Sequence, residues 1–276
     1  MATGRLFVVA TPIGNLEDIS ARALRVLSSV HVIAAEDTRH SKKLLDHYQI
    51  RTPLTSYHEH NEIEKAAHLV DLLQQGRDVA LISDAGTPGI ADPGYRVVRA
   101  ARDAAIPVES VPGPSAVVAA LSASGLPTDR FVFHGFFPRK KKDAEATLAH
   151  AKSFTATHVF YEAPNRLCDT LELINASAED AQLSVARELT KIHEEVINGT
   201  PGSVLRHFQQ TPPKGECVIM IHFADTQPVE LTDDQIREAV NDVMRSQALS
   251  RRDAIREIAA QYSVPRNRVY DAAGDA

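Results

Sequence analysis

Short apolar runs recur along the first 111 residues, and the stretches between them change to a helical period. Leu6–Ala10, Val30–Ala34, Leu54–His58, Val79–Ile82 and Val108–Val111 read as strands. Between them, Ala21–Ser28 sets Ala23, Leu24 and Leu27 on one helical face, and Ser41 reads as the cap of a helix over Lys42–Tyr48. Glu62–Gln75 is amphipathic through Ile63, Ala66, Ala67, Val70 and Leu73 and closes at Gly76, and Tyr95–Ala104 carries an apolar and basic pattern. Strands alternating with helices in this way predict a mostly parallel sheet covered on both faces.

After a small-residue helix at Ser115–Ala123, Gly125-Leu126-Pro127-Thr128 reads as a linker. A second α/β unit follows, with strands at Phe131–His134, Thr157–Phe160, Leu183–Arg187 and Cys217–Phe223 and helices at Asp143–Ala151 and Leu167–Ile174. Asp225-Thr226-Gln227-Pro228 reads as a second linker, and Thr232–Ala273 is helical throughout. The organisation expected is two α/β domains, residues 1–113 and 114–224, and a helical appendage, residues 225–276. In the appendage, Ser250 caps a helix with Ile255, Ile258, Ala259 and Tyr262 in a stripe. Ser263-Val264-Pro265 turns the chain into a second helix at Arg266–Ala273, giving a helix-turn-helix-like pair.

A length of 276 residues allows about two domains of roughly 100–200 residues each. The net charge of −6 gives no global attraction to nucleic acid or anionic lipid, so any such binding needs local basic patches. Cys168 and Cys217 are too few for a disulfide framework and lack the CxxC spacing of a zinc site. The apolar run Leu6–Ala10 is too short for a signal segment and no stretch approaches membrane-spanning length, so a reducing cytoplasm is the expected location.

The chemistry concentrates where strands run into loops of small residues. The strand at Val79–Ile82 opens into Ser83-Asp84-Ala85-Gly86-Thr87-Pro88-Gly89-Ile90-Ala91-Asp92-Pro93-Gly94, with two carboxylates. Leu6–Ala10 opens into Thr11-Pro12-Ile13-Gly14-Asn15, and Val108–Val111 into Pro112-Gly113-Pro114-Ser115-Ala116. Small residues let backbone approach a ligand, and the carboxyl ends of strands are where open α/β sheets bind ligands. No G-x-G-x-x-G follows a strand and no G-x-x-x-x-G-K-[ST] is present, which argues against a standard dinucleotide site or phosphate loop.

The motifs also carry a resemblance. Ala10–Leu16, Ala35–Arg39, Ser56–Glu62, Ser83–Pro88, Pro112–Ala116, Tyr161–Arg166 and Arg187–Lys191 resemble, in order and over essentially the whole chain, the bacterial ribosomal RNA small subunit methyltransferase I family. This family lies within the tetrapyrrole-methylase-like superfamily. The resemblance implies two α/β domains with S-adenosylmethionine in the cleft between them. It also implies ribose 2′-O-methylation of a cytidine in the decoding region of 16S rRNA, within the 30S subunit, and a homodimer. Two alternatives stand beside it: a methyltransferase of the same superfamily acting on a tetrapyrrole or a protein side chain, and a nucleic-acid-binding module without catalysis.

Under the resemblance, the cofactor contacts fall to Pro12, Gly14, Asp84, Gly86, Thr87, Pro88, Gly113, Pro114, Ser115 and Ala163. Asp84 equally suits a helix cap or an Asx turn. A group that takes the hydroxyl proton is to be sought among Glu36, Asp37, His58, Glu59, Lys191 and Glu194, with none preferred. Arg39 suits a phosphate contact or a pairing with Glu36 or Asp37. His58, His60 and Glu62 would share one face of a strand and so suggest a metal, but Asn61 and Glu62 suit a helix start, and no metal is expected. RNA contacts are expected from Arg139, Lys140 and Lys141, and from Arg252, Arg266 and Arg268 in the appendage, where six arginines from Arg245 to Arg268 face only Asp253 and Glu257.

Overall fold

In the computed structural model, described for residues 3–223, 232–247, 249–262 and 264–274, the first five apolar runs form one parallel sheet. Its strands are β1 (Leu6–Val9), β2 (Val32–Ala35), β3 (Leu54–Ser56), β4 (Val79–Ile82) and β5 (Val108–Val111), in the order β3-β2-β4-β1-β5. Every residue of β2 and β4 is buried, because helices cover both faces.

The side-chain alternation of the strands sorts those helices. Ile33, Ala35, Ala80 and Ile82 share one core with Ala23 and Leu27 of α1 (Ala21–Ser29) and Leu44 and Leu45 of α2 (Thr38–His47). Val32, Ala34, Val79 and Leu81 share the opposite core with Leu69 and Leu73 of α3 (Glu62–Gln74) and Val97 and Ala101 of α4 (Tyr95–Asp103). All five strands run the same way, so the loops after β1, β2, β4 and β5 emerge on one edge.

A second five-stranded sheet, order β6-β7-β10-β8-β9, is mixed. It comprises β6 (Phe131–Phe136), β7 (Thr157–Glu162), β8 (Gln182–Arg187), β9 (Glu195–Gly199) and β10 (Cys217–His222). Only β6 and β7 are parallel. One face holds α5 (Ala116–Ser124) against Val159, Ala186, Val218 and Met220. The other buries Leu148 of α6 (Lys141–Ala151), Leu171 of α7 (Leu167–Ser177) and Phe208 of α8 (Pro201–Gln210).

Contacts divide the chain into two compact units, residues 1–223 and 224–276. The second contains α9 (Asp233–Gln247), α10 (Arg251–Gln261) and α11 (Arg266–Ala273) around a core of its own, including Ile236, Val240, Ile255, Ile258 and Val269. Ser250 caps α10, its hydroxyl accepting from the Asp253 N–H at 3.3 Å.

Several local expectations are corrected. Helix α2 starts at Thr38, four residues before the expected Lys42, because the cap is Asp37 and not Ser41: the Asp37 carboxylate accepts from the Arg39 and His40 N–H groups and Ser41 is buried within the helix. Strand β3 ends at Ser56, two residues short of His58. Asn61 stands at the cap position of α3 without capping it: its Oδ1 accepts from the His58 N–H at 2.9 Å instead. Strand β9 and helix α8 were not anticipated. The former is a short, half-polar edge strand, and Gly202 in the first turn of the latter obscures the Thr200 cap and Pro201 that open it. The linker at 225–228 and Ser263 of the tail turn lie outside the described residues.

Candidate active site

The loops at the carboxyl edge of the parallel sheet are bonded to one another. Thr11 and Gly86 exchange backbone hydrogen bonds at 2.8 and 3.1 Å, which joins the loop after β1 to that after β4. The Thr11 hydroxyl also donates to the Ser83 carbonyl at 3.2 Å. The Asp84 carboxylate accepts from the Asp37 N–H at 3.0 Å, adding the loop after β2, and the Thr87 hydroxyl donates to the Pro114 carbonyl at 3.3 Å, adding the loop after β5. Two glycines make this possible. Gly86 has φ +77, and a Cβ at Gly113 would stand 3.1 Å from the Ala10 Cβ.

Across from these loops stand residues of the second sheet, and the two sets enclose a cleft of about 230 Å³. Ile13, Glu36, Asp84, Thr87, Asp92 and Ser115 line it on one side; Phe136, Tyr161, Glu188, Leu189, Lys191 and Glu216 line it on the other. Ligand pockets typically hold about 300–1,000 Å³, so a nucleoside-sized ligand would also occupy the open mouth.

Five carboxylates, those of Glu36, Asp84, Asp92, Glu188 and Glu216, meet one ammonium, Lys191, in this lining. Lys191 donates to Glu188 at 2.8 Å. Crowding of buried like charges favours protons. Burial, then repulsion from Asp92 and Asp84, pushes the Glu36 carboxyl up to about 7. Burial chiefly raises Asp92 to about 6 against a hydrogen bond from Ser83, with Asp84 and Glu216 adding to the rise. Burial, then Asp92 and Glu216, lifts the Tyr161 hydroxyl to about 12, and burial lifts the Cys217 thiol to about 12, so that thiol is inert near neutrality.

Backbone strain gathers here as well. Glu188 (φ +49), Thr190 (φ +66) and Ala91 (φ +64) are left-handed without being glycine, and all three belong to loops that form the cleft. Such conformations cost of order 1–3 kcal/mol each and cluster at functional sites. Gly14 fits against the strained 188–191 loop because a Cβ there would lie 2.7 Å from Thr190 Oγ1 and 2.8 Å from the Leu189 carbonyl oxygen.

Residues 5–205 match the family model described as Tetrapyrrole (Corrin/Porphyrin) Methylases. Ribosomal RNA small subunit methyltransferase I of a Synechocystis species is 43% identical over 97% of this chain and 96% of its own. The protein of that name from Pseudomonas aeruginosa is 48% identical over 80% of this chain and 79% of its own.

The chain belongs to the tetrapyrrole methylase family, in its ribosomal RNA small subunit methyltransferase I branch.

The fold of the family is also seen in a crystal structure of diphthine synthase, with a TM-score of 0.63 at 14% identity, covering 79% of this chain and 90% of that one. A uroporphyrin-III-C-methyltransferase from Thermus thermophilus gives a TM-score of 0.55 at 23% identity, covering 79% and 94%.

On this methylase fold, the residues singled out from sequence divide by place. Asp84, Thr87 and Ser115 line the cleft, and Gly86, Gly113 and Pro114 shape its wall through the contacts above. Pro12 and Pro88 sit in the same loops without lining it, and Gly14 borders an adjoining hollow with Leu16, His47 and Ile192. Ala163 does not line the cleft; its N–H donates to Glu162, whose buried carboxylate also holds Thr170 at 2.6 Å and Arg166 at 3.2 Å.

Among the candidate proton acceptors, Glu36 and Lys191 line the cleft. The Asp37 carboxylate is taken up by the first turn of α2, whose Arg39 N–H above all holds its pKa below the usual carboxylate range. Glu59 borders a separate hollow with Glu62 and Arg96, and Glu194 accepts from the Thr190 N–H at 2.6 Å, which pins the strained loop. His58 has a buried Nδ1 without a hydrogen-bond partner among the described residues. Its ring lies 6.0 Å from that of His60, while Glu62 pairs with Arg96. Among the described residues, no group of three or more His, Cys, Asp and Glu stands where it would hold a metal ion.

The guanidinium of Arg39 is exposed and reaches Asp37 at 3.5 Å. Arg139, Lys140 and Lys141 are exposed where β6 leads into α6, and Arg252, Arg266 and Arg268 are exposed on α10 and α11. Sequence reasoning did not single out Glu188, Glu216 or Tyr161 as site residues. Asp92 was visible as the second carboxylate of its loop, whereas Glu216 reaches the cleft only through the antiparallel placement of β10, which no local pattern encodes.

Proposed function

We propose that the chain transfers a methyl group from S-adenosylmethionine to the ribose 2′-hydroxyl of a cytidine in the decoding region of 16S rRNA, acting on the 30S subunit in the cytoplasm as a homodimer. In this reading residues 1–113 and 114–224 supply the two walls of the cofactor cleft, and residues 225–276 are an appendage that docks RNA. The observation that carries it is the acidic cleft of a tetrapyrrole methylase in a chain 43–48% identical to proteins named for ribosomal RNA methylation.

The lining fits the cofactor. Asp84 and Asp92 suit a cationic sulfonium and an amino group. Ser115 stands at the cap position of α5 without a side-chain cap bond, so the helix start offers a carboxylate its amides beside that of Val117, which faces the Tyr161 hydroxyl. Ile13, Leu189, Ala116 and Val218 offer apolar surface to an adenine ring. When bound, the cofactor supplies an electrophilic methyl group on sulfur. Glu36, held near neutrality by burial and by Asp92 and Asp84, takes the proton from the ribose hydroxyl. The loops bonded through Thr11, Gly86 and Asp84 fix the orientation, and positioning supplies much of the rate.

The test is methylation of 30S subunits with labelled cofactor, followed by nuclease digestion and mass spectrometry of the 16S rRNA. The methyl is expected on the sugar of one cytidine. A methyl on a base, or transfer to a corrin precursor and not to RNA, overturns the reading.

A further inference from the structure

Arg252 and Arg256 are one turn apart on α10 and Arg266 opens α11; with Ser250 and Asp253 they line one open hollow of the tail. Among the described residues, Asp253 is the sole carboxylate in that lining. It accepts from the Ser250 hydroxyl at 2.6 Å and faces Arg256 at 3.6 Å, which leaves three cations to one anion. Among the described residues, neither Arg252 nor Arg266 has a carboxylate partner. The hollow is held in shape from below, because Ile255 and Ile258 share a core with Val269, and Arg251 donates to the Ala273 carbonyl at 3.0 Å.

One further feature points to an occupant. Tyr270 lies four residues beyond Arg266, on the same helical face, and is 59% exposed. The exposed ring and Arg266 of the hollow thus stand one helical turn apart on α11. Guanidinium forks match phosphate oxygens, and an exposed ring beside them suits a base that is not stacked in a duplex.

We propose that the tail binds an unpaired RNA nucleotide, a backbone phosphate in the hollow of Arg252, Arg256 and Arg266 and an adjoining base stacked on Tyr270. The choice of RNA rests on the function proposed above. A duplex is disfavoured as the occupant because the deep, narrow groove of A-form RNA does not admit side chains to its bases.

The test is binding of the full-length protein to a single-stranded RNA oligonucleotide and to an RNA duplex at several salt concentrations. Circular dichroism and calorimetric cofactor affinity report that each variant is folded. Y270A is expected to weaken single-strand binding about tenfold with an unchanged salt slope, and Y270F to restore it. R252E/R256E/R266E is expected to flatten the slope by at least about 0.7, the contribution of the one phosphate held in the hollow. Single-strand binding that is indifferent to Tyr270, or equal affinity for the duplex, overturns the tail site. Absence of methyl transfer by the wild-type protein counts against the proposed function alone, since the Tyr270 dependence is read from binding.

Discussion

The Asp84 carboxylate accepts a hydrogen bond from the backbone N–H of Asp37 at 3.0 Å, although 47 residues separate them in sequence. That bond holds together the loops following β2 and β4, and it orients a charge that lines the cleft. Replacing Asp84 by Asn keeps an acceptor oxygen but removes the charge; replacing it by Ala removes both. D84N is therefore expected to fold with nearly wild-type stability and to bind S-adenosylmethionine at least tenfold more weakly. D84A should lose about 1–3 kcal/mol of stability as well, the cost of stranding the Asp37 amide. Thermal unfolding and calorimetry separate the two effects. Equal cofactor affinity in D84N and wild type would remove Asp84 from the cofactor site.

The crowded carboxylates make pH the next lever. Glu36, pushed from 4.5 up to about 7, must be ionised to take a proton, so the rate of methyl transfer should rise with pH and level off above about 7. The E36Q variant should lose that limb and fall about 10²–10³-fold in rate at saturating substrate. Stability moves the opposite way. A carboxyl whose folded pKa is raised stabilises the fold fully below about 4.5, and this contribution is lost as pH rises through about 7. Denaturant melts of E36Q should show a weaker decline of stability across that window. An unchanged pH–rate limb in E36Q would assign proton removal to another group.

Gly86 and Gly113 test the cradle rather than its charge. At φ +77, Gly86→Ala strains the backbone by about 1–2 kcal/mol and puts a methyl 3.5 Å from Ile13 Cγ2. Gly113→Val must displace Ala10, whose Cβ already stands 3.1 Å from the first added carbon. Both variants are expected to stay folded, because the cores on the two faces of the parallel sheet do not include these loops. Cofactor binding should fall below detection for Gly113→Val. Undiminished affinity in both variants would show that the close approach of these loops serves packing alone.

How much of this was legible beforehand follows from which interactions are local. The strands Val79–Ile82 and Val108–Val111 occupy the residues read for them, the first as a buried apolar run and the second as a half-polar edge strand between Pro107 and Pro112. Asp84, Thr87 and Ser115 were legible because small-residue loops after strands mark the ligand edge of such a sheet. Glu188 and Glu216 were not, because they reach the cleft through pairings of β8 and β10 that lie far apart in sequence. Asp37 was legible as a functional candidate, yet its carboxylate is engaged by the turn it starts. A cap and a catalytic acid look alike until the backbone is placed.

The loop ahead of α6 supplies the last prediction. Arg139, Lys140 and Lys141 are exposed, and their one pairing among the described residues, Lys141 with Glu145 at 3.8 Å, is a solvent-exposed contact that contributes little. A chain of net charge −6 gains nothing from long-range attraction to RNA, so such a cluster is where phosphates would be met. Reversing all three, R139E/K140E/K141E, should leave thermal stability within about 0.5 kcal/mol, as befits exposed side chains. It should weaken binding to 30S subunits and flatten the dependence of log affinity on log salt by about 2–3, each duplex phosphate contact contributing about 0.9. The drop in methylation should then be recovered at high enzyme concentration, because docking and not chemistry is impaired. A rate that stays low at saturation would mean these residues act on the transfer step, and an unchanged salt slope would mean the RNA docks elsewhere.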